Sequence, residues 1–152
     1  MRREPLEQAR PWLDQAWADL KVAEGLETTA PFAACFHAQQ AAEKALKAVY
    51  VAHGLPFPWT HSVQELLRSA AQEHPELEAF VEGTLLLDSF YTGTRYPSLG
   101  LASLEAPEKR YAASHARQAI STARPVVEAG QRIWEELVRR RPSAEGKEEA
   151  GR

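Results

Sequence analysis

Ala38-Gln39-Gln40-Ala41-Ala42-Glu43-Lys44-Ala45-Leu46-Lys47-Ala48 lies in the first third of a 152-residue chain. Alanine and leucine are strong helix formers. Glu43 and Lys47 stand four apart in the favourable order, and Gln40 and Lys44 are spaced for a hydrogen bond along one helix face. A solvated face would account for those pairs. The adjacent glutamines, flanked by alanines, demand more: at least one faces a packed helix and needs a polar partner there. The surrounding helix is expected from about Pro31 to His53. Phe32, Phe36, Leu46, Val49 and Tyr50 share a face otherwise paved with Ala38, Ala41, Ala42 and Ala45. Small residues let another backbone approach closely, which makes this the expected central helix. Gly54 fits a left-handed C′ position, and Pro56 and Pro58 prevent continuation.

Outward from this helix the pattern stays helical. Ala and Leu number 42 against 10 for Val and Ile, so the fold class is all-α. A first helix is expected from Pro5 to Glu27, with Leu6, Leu13, Trp17, Leu20 and Ala23 as its apolar stripe. Pro11 marks its start or bends it. Ser62 and Glu65 form a capping-box pattern at the start of a third helix, which His74-Pro75 ends. A fourth is expected from Glu76 to Tyr91. Its run Leu85-Leu86-Leu87 is too apolar for one exposed helix and implies cover on two sides. Thr92 to Pro107 lacks periodicity and reads as a long, functional loop. A last helix is expected from Pro107 to about Arg141, kinked at Pro125. Arg139-Arg140-Arg141 then complements the helix dipole. One domain over residues 1–141 and a mobile polar tail over 142–152 are expected. Trp17, Leu20, Phe36, Leu46, Leu66 and Leu87 form the expected common core.

Composition narrows function. Charged residues make up 26% and the net charge is -3, so a strongly basic, nucleic-acid-coating protein is excluded, though a local basic site is not. The one cysteine, Cys35, excludes a disulfide framework or zinc ribbon and reads as a small buried hydrophobe. His37, His53, His61, His74 and His115 show no metal-ligand spacing, so no metal and no cofactor are expected. Neither a phosphate-binding glycine loop nor a Gly-x-Ser-x-Gly elbow is present. No apolar run approaches a membrane span, and a cytoplasmic location is expected.

Four ordered segments carry a resemblance. They are Trp17-Ala18-Asp19-Leu20 with Ala23, then Gln39 to Ala48, then Thr60-His61-Ser62-Val63 with Leu66-Leu67, and finally Tyr91 with Thr94-Arg95-Tyr96-Pro97. Together they resemble the HEPN family of small helical domains, over about residues 10 to 135. The resemblance implies an antiparallel up-and-down bundle of four to five helices, paired as a symmetric homodimer. The fourth helix and the Thr92 to Pro107 loop are expected near its axis.

The resemblance also implies two functions. One is a binding module: the partner of a minimal nucleotidyltransferase, holding nucleotide or RNA through Arg95, Tyr96, Lys44 and Lys47. The alternative is a metal-independent endoribonuclease, the toxin of a toxin–antitoxin pair. The family's nuclease motif places a histidine four to six residues after an arginine. No histidine follows Arg95 at that spacing. Arg110 and His115 match it literally, but five steps along a regular helix set them about 140° apart. Weak or absent RNA cleavage is the expectation on these grounds.

Overall fold

A computed structural model describes residues 4–97 and 105–142. The described residues form helices α1 (Pro5–Leu26), α2 (Pro31–Ala52), α3 (Val63–Ala70), α4 (Val81–Gly93), α5 (Pro107–Arg110) and α6 (Ala113–Arg139), with a 3-10 helix over Pro75–Phe80 before α4. No strand occurs among them. The architecture is the expected all-α, antiparallel up-and-down bundle. Four long helices carry it, and the short ones are connectors.

α2 packs against α1, α3, α4 and α6. Its alanines make this possible. Ala38, Ala41, Ala42 and Ala45 are fully buried. A Cβ built on Gly130 of α6 would stand 3.1 Å from the Ala45 carbonyl oxygen, so the two backbones touch where neither residue has bulk. Gly54 adopts φ +68°. Gly54 N–H bonds the Val51 carbonyl and Leu55 N–H reaches back to Tyr50, the Schellman arrangement that closes α2.

α1 runs through Pro11 and α6 through Pro125. The carbonyls deprived of a donor belong to Glu7 and Ser121, both exposed residues. The helix expected to run unbroken from Pro107 is interrupted at Tyr111-Ala112, whose extended backbone separates α5 from α6. The start of the expected fourth helix is the 3-10 segment, with Leu77 buried and Pro75 at its first position. The expected tail lies almost wholly outside the described residues, as does the middle of the Thr92 to Pro107 loop.

Leu20, Leu46, Leu66 and Leu87 lie in the core. Trp17 does not. It is 36% exposed and its indole Nε1 donates to Gln131 Oε1 at 3.2 Å. Phe36 is half-buried and faces Arg95. Both sit on the expected faces, but at their margins, where α1 and α2 give out on to solvent. Leu85 is 61% exposed while Leu87 is buried, so only one side of α4 finds cover among the described residues.

The Leu46 side chain is fully buried in the central helix. Leu46→Ala is expected to cost about 2–5 kcal/mol through lost transfer energy and a residual cavity, read from denaturant melts. A loss under about 0.5 kcal/mol would contradict the central placement of α2.

Candidate functional site

The polar positions of α2 form a seam across its outer face. Two buried carboxylates organise it. Asp19 comes from α1 and is 4% exposed; its oxygens meet Lys44 Nζ at 2.5 Å and His37 Nδ1 at 3.2 Å. Glu43 lies in α2 itself and is also 4% exposed. Glu43 Oε1 accepts from Lys47 Nζ at 2.7 Å and lies 3.0 Å from His61 Nδ1. Glu43 Oε2 accepts from Gln39 at 3.0 Å and Gln40 at 3.3 Å. The two glutamines thus find their polar partner inside the helix, and Gln39 reaches further to the His61 carbonyl at 2.9 Å. Burial alone would raise the Glu43 pKa. The hydrogen bonds of Lys47, His61 and Gln39 and the charge of Lys47 outweigh it and hold the carboxyl below its ordinary value.

His61 arrives at the seam because the start of α3 is tied to α4. Asp88 receives Ser62 Oγ at 2.7 Å and the Val63 N–H at 2.6 Å. Ser62 Oγ in turn accepts from Glu65 N–H at 3.1 Å. Half of the expected capping box therefore forms. The Glu65 carboxylate turns instead to Thr60 Oγ1 at 2.9 Å. One turn after Asp88, Tyr91 stacks on the His61 ring at 4.2 Å and 14°.

Arg95 completes the group just past the end of α4. Its Nε donates to the Tyr91 carbonyl at 2.7 Å. Its guanidinium carbon stands 4.1 Å from the Tyr91 ring centre, 5.2 Å from Phe36 and 5.3 Å from Tyr96. Cation–π contact holds the charge in place. Arg95 is exposed, and its terminal nitrogens have no hydrogen-bond partner among the described residues.

The other sequence candidates divide. Tyr96 lies beside Arg95, 49% exposed. Lys44 and Lys47 reach the same seam, each with its ammonium held by a carboxylate. Arg110 turns to the end of α4, donating to the Gly93 carbonyl at 3.1 Å and the Glu105 carbonyl at 2.8 Å. His115 Nδ1 accepts the Ala112 N–H at 2.9 Å and caps α6. The helix break removes the regular-helix spacing expected of Arg110 and His115, and each has a structural hydrogen bond of its own. Sequence spacing did not find the Glu43–His61 and Asp19–His37 pairs. Their members lie 18 residues apart in the sequence, on different segments of the fold, and the only local signal was a histidine directly before the Ser62 cap.

The remaining chemistry is quiet. Burial pushes the Cys35 thiol up to about 12, against a smaller lowering by a backbone hydrogen bond, so it stays protonated. The Nε2 atoms of His53 and His74 lie 2.8 Å apart at the far end of α2. Burial, then the neighbouring His74, lowers the His53 pKa. Among the described residues no group of three or more His, Cys, Asp or Glu side chains converges to hold a metal, and no helix is long and apolar enough to cross a membrane.

A family model of the HEPN domain matches residues 9–134, a span that includes every residue of the seam. The chain is a HEPN-domain protein. Its fold is similar to TT1696 from Thermus thermophilus, with TM-score 0.73 and 34% identity over 86% of this chain and 98% of that one. It is also similar to ST0689, an archaeal HEPN homologue, with TM-score 0.67 and 27% identity over 88% of this chain and 99% of that one. Comparison with proteins of curated function finds no match.

Two outcomes follow from the site's electrostatics. The Glu43 carboxyl has a folded-state pKa below its ordinary value of 4.5, so the folded state binds fewer protons than the unfolded chain. Its contribution to stability is full above that value and is lost as pH falls through the folded pKa. Denaturant midpoints measured from pH 7 to 3 should fall, and less steeply in Glu43→Gln. Asp88→Ala removes the acceptor of the Ser62 hydroxyl and of the Val63 and Gln64 N–H groups and is expected to cost about 2 kcal/mol in the same assay.

Proposed function

We propose that this HEPN-domain protein is a homodimeric binding module. It partners a minimal nucleotidyltransferase and holds a phosphate-bearing ligand, nucleotide or RNA, at the Arg95 face. The observation that carries the ligand reading is the Arg95 guanidinium. It is exposed, fixed through Nε to the Tyr91 carbonyl, and bedded on aromatic rings, with its outer nitrogens directed at no protein group described. A planar guanidinium held in this way meets two phosphate oxygens at once. Lys44 and Lys47 add positive charge behind it, although each ammonium is already neutralised. Leu85, exposed on an α4 whose opposite side is buried, supports pairing through that helix. The nucleotidyltransferase partner rests on the family resemblance, in which many bacterial members are encoded beside one.

A second reading, the metal-independent endoribonuclease, gains from one observation. The sequence objection to it was the missing histidine after Arg95, and His61 stands on the same Tyr91 ring as that arginine.

Sedimentation at tens of micromolar should show a dimer, and Leu85→Glu should shift it to monomer. A wild type that is monomeric throughout would overturn the assembly. Binding of a labelled oligonucleotide should weaken on the order of tenfold in Arg95→Ala, the loss of one bidentate charged contact. Unchanged binding would leave Arg95 a structural role only.

A further inference from the structure

We propose that His53 and His74 form a binding site for a tetrahedral divalent metal ion of the zinc class, at the C-terminal end of α2. The site is separate from the Arg95 face and independent of the function proposed above.

The two imidazoles meet head-on. Their Nε2 atoms lie 2.8 Å apart and their ring centres 5.1 Å apart. The centre spacing is close to the N···N distance plus the two ring radii, so each Nε2 points at the other. One hydrogen fits between them, and at least one ring is therefore neutral. The other three histidines are occupied differently. His37 and His61 turn Nδ1 to a buried carboxylate, and His115 caps α6. Neither ring of the His53–His74 pair makes another hydrogen bond among the described residues. Such a bond near solvent contributes little to folding, because water offers the same partners.

The spacing suits one coordination geometry. Two imidazoles on a tetrahedral zinc, with Zn–N of about 2.0–2.1 Å, hold their nitrogens about 3.3 Å and their ring centres about 5.2 Å apart. His53 and His74 already have that centre spacing. A tilt of each ring about its own centre turns the two nitrogens from each other to a common point, with no approach or retreat of the rings. A right-angled site of the copper(II) or nickel(II) kind would need the centres at about 4.5 Å, closer than they stand. One ring must also pass its hydrogen from Nε2 to Nδ1, a change of tautomer without change of charge.

The surroundings favour a cation. A cavity of about 160 Å³ opens on the pair, lined also by Tyr50, Ser69, Gln72 and Glu73. It has room for the waters that complete the coordination. Glu76 Oε1 stands 3.7 Å from His74 Nδ1. A carboxylate on the outer nitrogen of a ligating histidine fixes its tautomer and raises its basicity, and Glu76 is the group placed to do so. Among the described residues neither Glu73 nor Glu76 pairs with a lysine or arginine; the nearby Arg140 is taken by Glu136. The two ligands lie 21 residues apart, which is why no sequence spacing marks them. A bound ion clips the end of α2 to the chain just before the 3-10 segment. Two protein ligands, half of a closed structural zinc site, give about half its binding free energy, or a Kd on the order of 10 µM.

The test uses the full chain without an affinity tag. Zinc is titrated in competition with a chromophoric zinc indicator. Wild type should bind one zinc per chain with a Kd on the order of 10 µM. His53→Asn and His74→Asn should each weaken binding at least about tenfold, the loss of one of two ligands. His53 is exposed, so its replacement leaves the core untouched. The double variant His37→Asn, His61→Asn should bind as wild type does. In about 1 mM zinc, a hundredfold above that Kd, the melting midpoint should rise by about 5–10 °C in wild type and not in His53→Asn. Cobalt(II) in place of zinc should show the strong visible absorption of a four-coordinate ion, and His53→Asn should lack it. Wild type that takes up no zinc at about 1 mM overturns the proposal. So does binding that His53→Asn leaves unchanged, or binding lost in the His37→Asn, His61→Asn variant instead, which would put the ion at the seam. A weak, six-coordinate cobalt spectrum overturns the tetrahedral site.

Discussion

A carboxylate inside a helix bundle is costly unless its charge is matched, and Glu43 is such a group. Its two oxygens are met by Lys47, His61, Gln39 and Gln40, three of them on its own helix and one delivered from outside. That satisfaction shapes the rest of the fold. The residues before and after Glu43 along α2 must be glutamine and lysine rather than apolar. The chain after α2 must stop at Gly54 and double back, so that His61 can reach the carboxylate. α3 must start where Asp88 can hold it, and this sets α4 beside α2. An apolar residue in place of Glu43 would free α3 from this anchor.

The same arrangement occurs twice. Asp19 of α1 holds a lysine and a histidine, as does Glu43 of α2. Both carboxylates bind their histidine through Nδ1, and both lysines spend their charge on the carboxylate. Arg95 differs from these cations in having no carboxylate partner among the described residues. Its ties are to a carbonyl and to aromatic faces, which fix its position without cancelling its charge. This difference is what supports the anion-binding role proposed for it.

Much of the fold was legible because local chemistry decides it. The alanine-rich α2, the left-handed Gly54 and the Ser62 cap each follow from residues within one turn of the feature. The buried leucines followed from helical periodicity. Legibility failed where a distant partner decides. Trp17 is on the periodic stripe, but Gln131, far along the chain, offers its indole an acceptor at the surface. Nothing near Tyr111 in sequence marks the break before α6. It comes from packing, since the bare Cα of Gly93 leaves room for the Tyr111 hydroxyl, which a Cβ there would strike. The seam was half visible. The paired glutamines announced a buried polar partner, and Arg95 was evident from its loop. His61 was not tied to either of them, because its role depends on α3 meeting α2 and α4.

Arg110 has a consequence for how this fold can vary. Its guanidinium donates to Gly93 on one side and Glu105 on the other, so a single side chain ties the end of α4 to the approach of α5. The two anchor points are held together irrespective of what the intervening chain contains. Closing a loop between fixed ends grows only logarithmically more unfavourable with length. Relatives of this chain can therefore lengthen, shorten or rewrite the stretch beside Arg95 with little effect on the bundle, which makes that stretch the natural place for ligand preference to diverge.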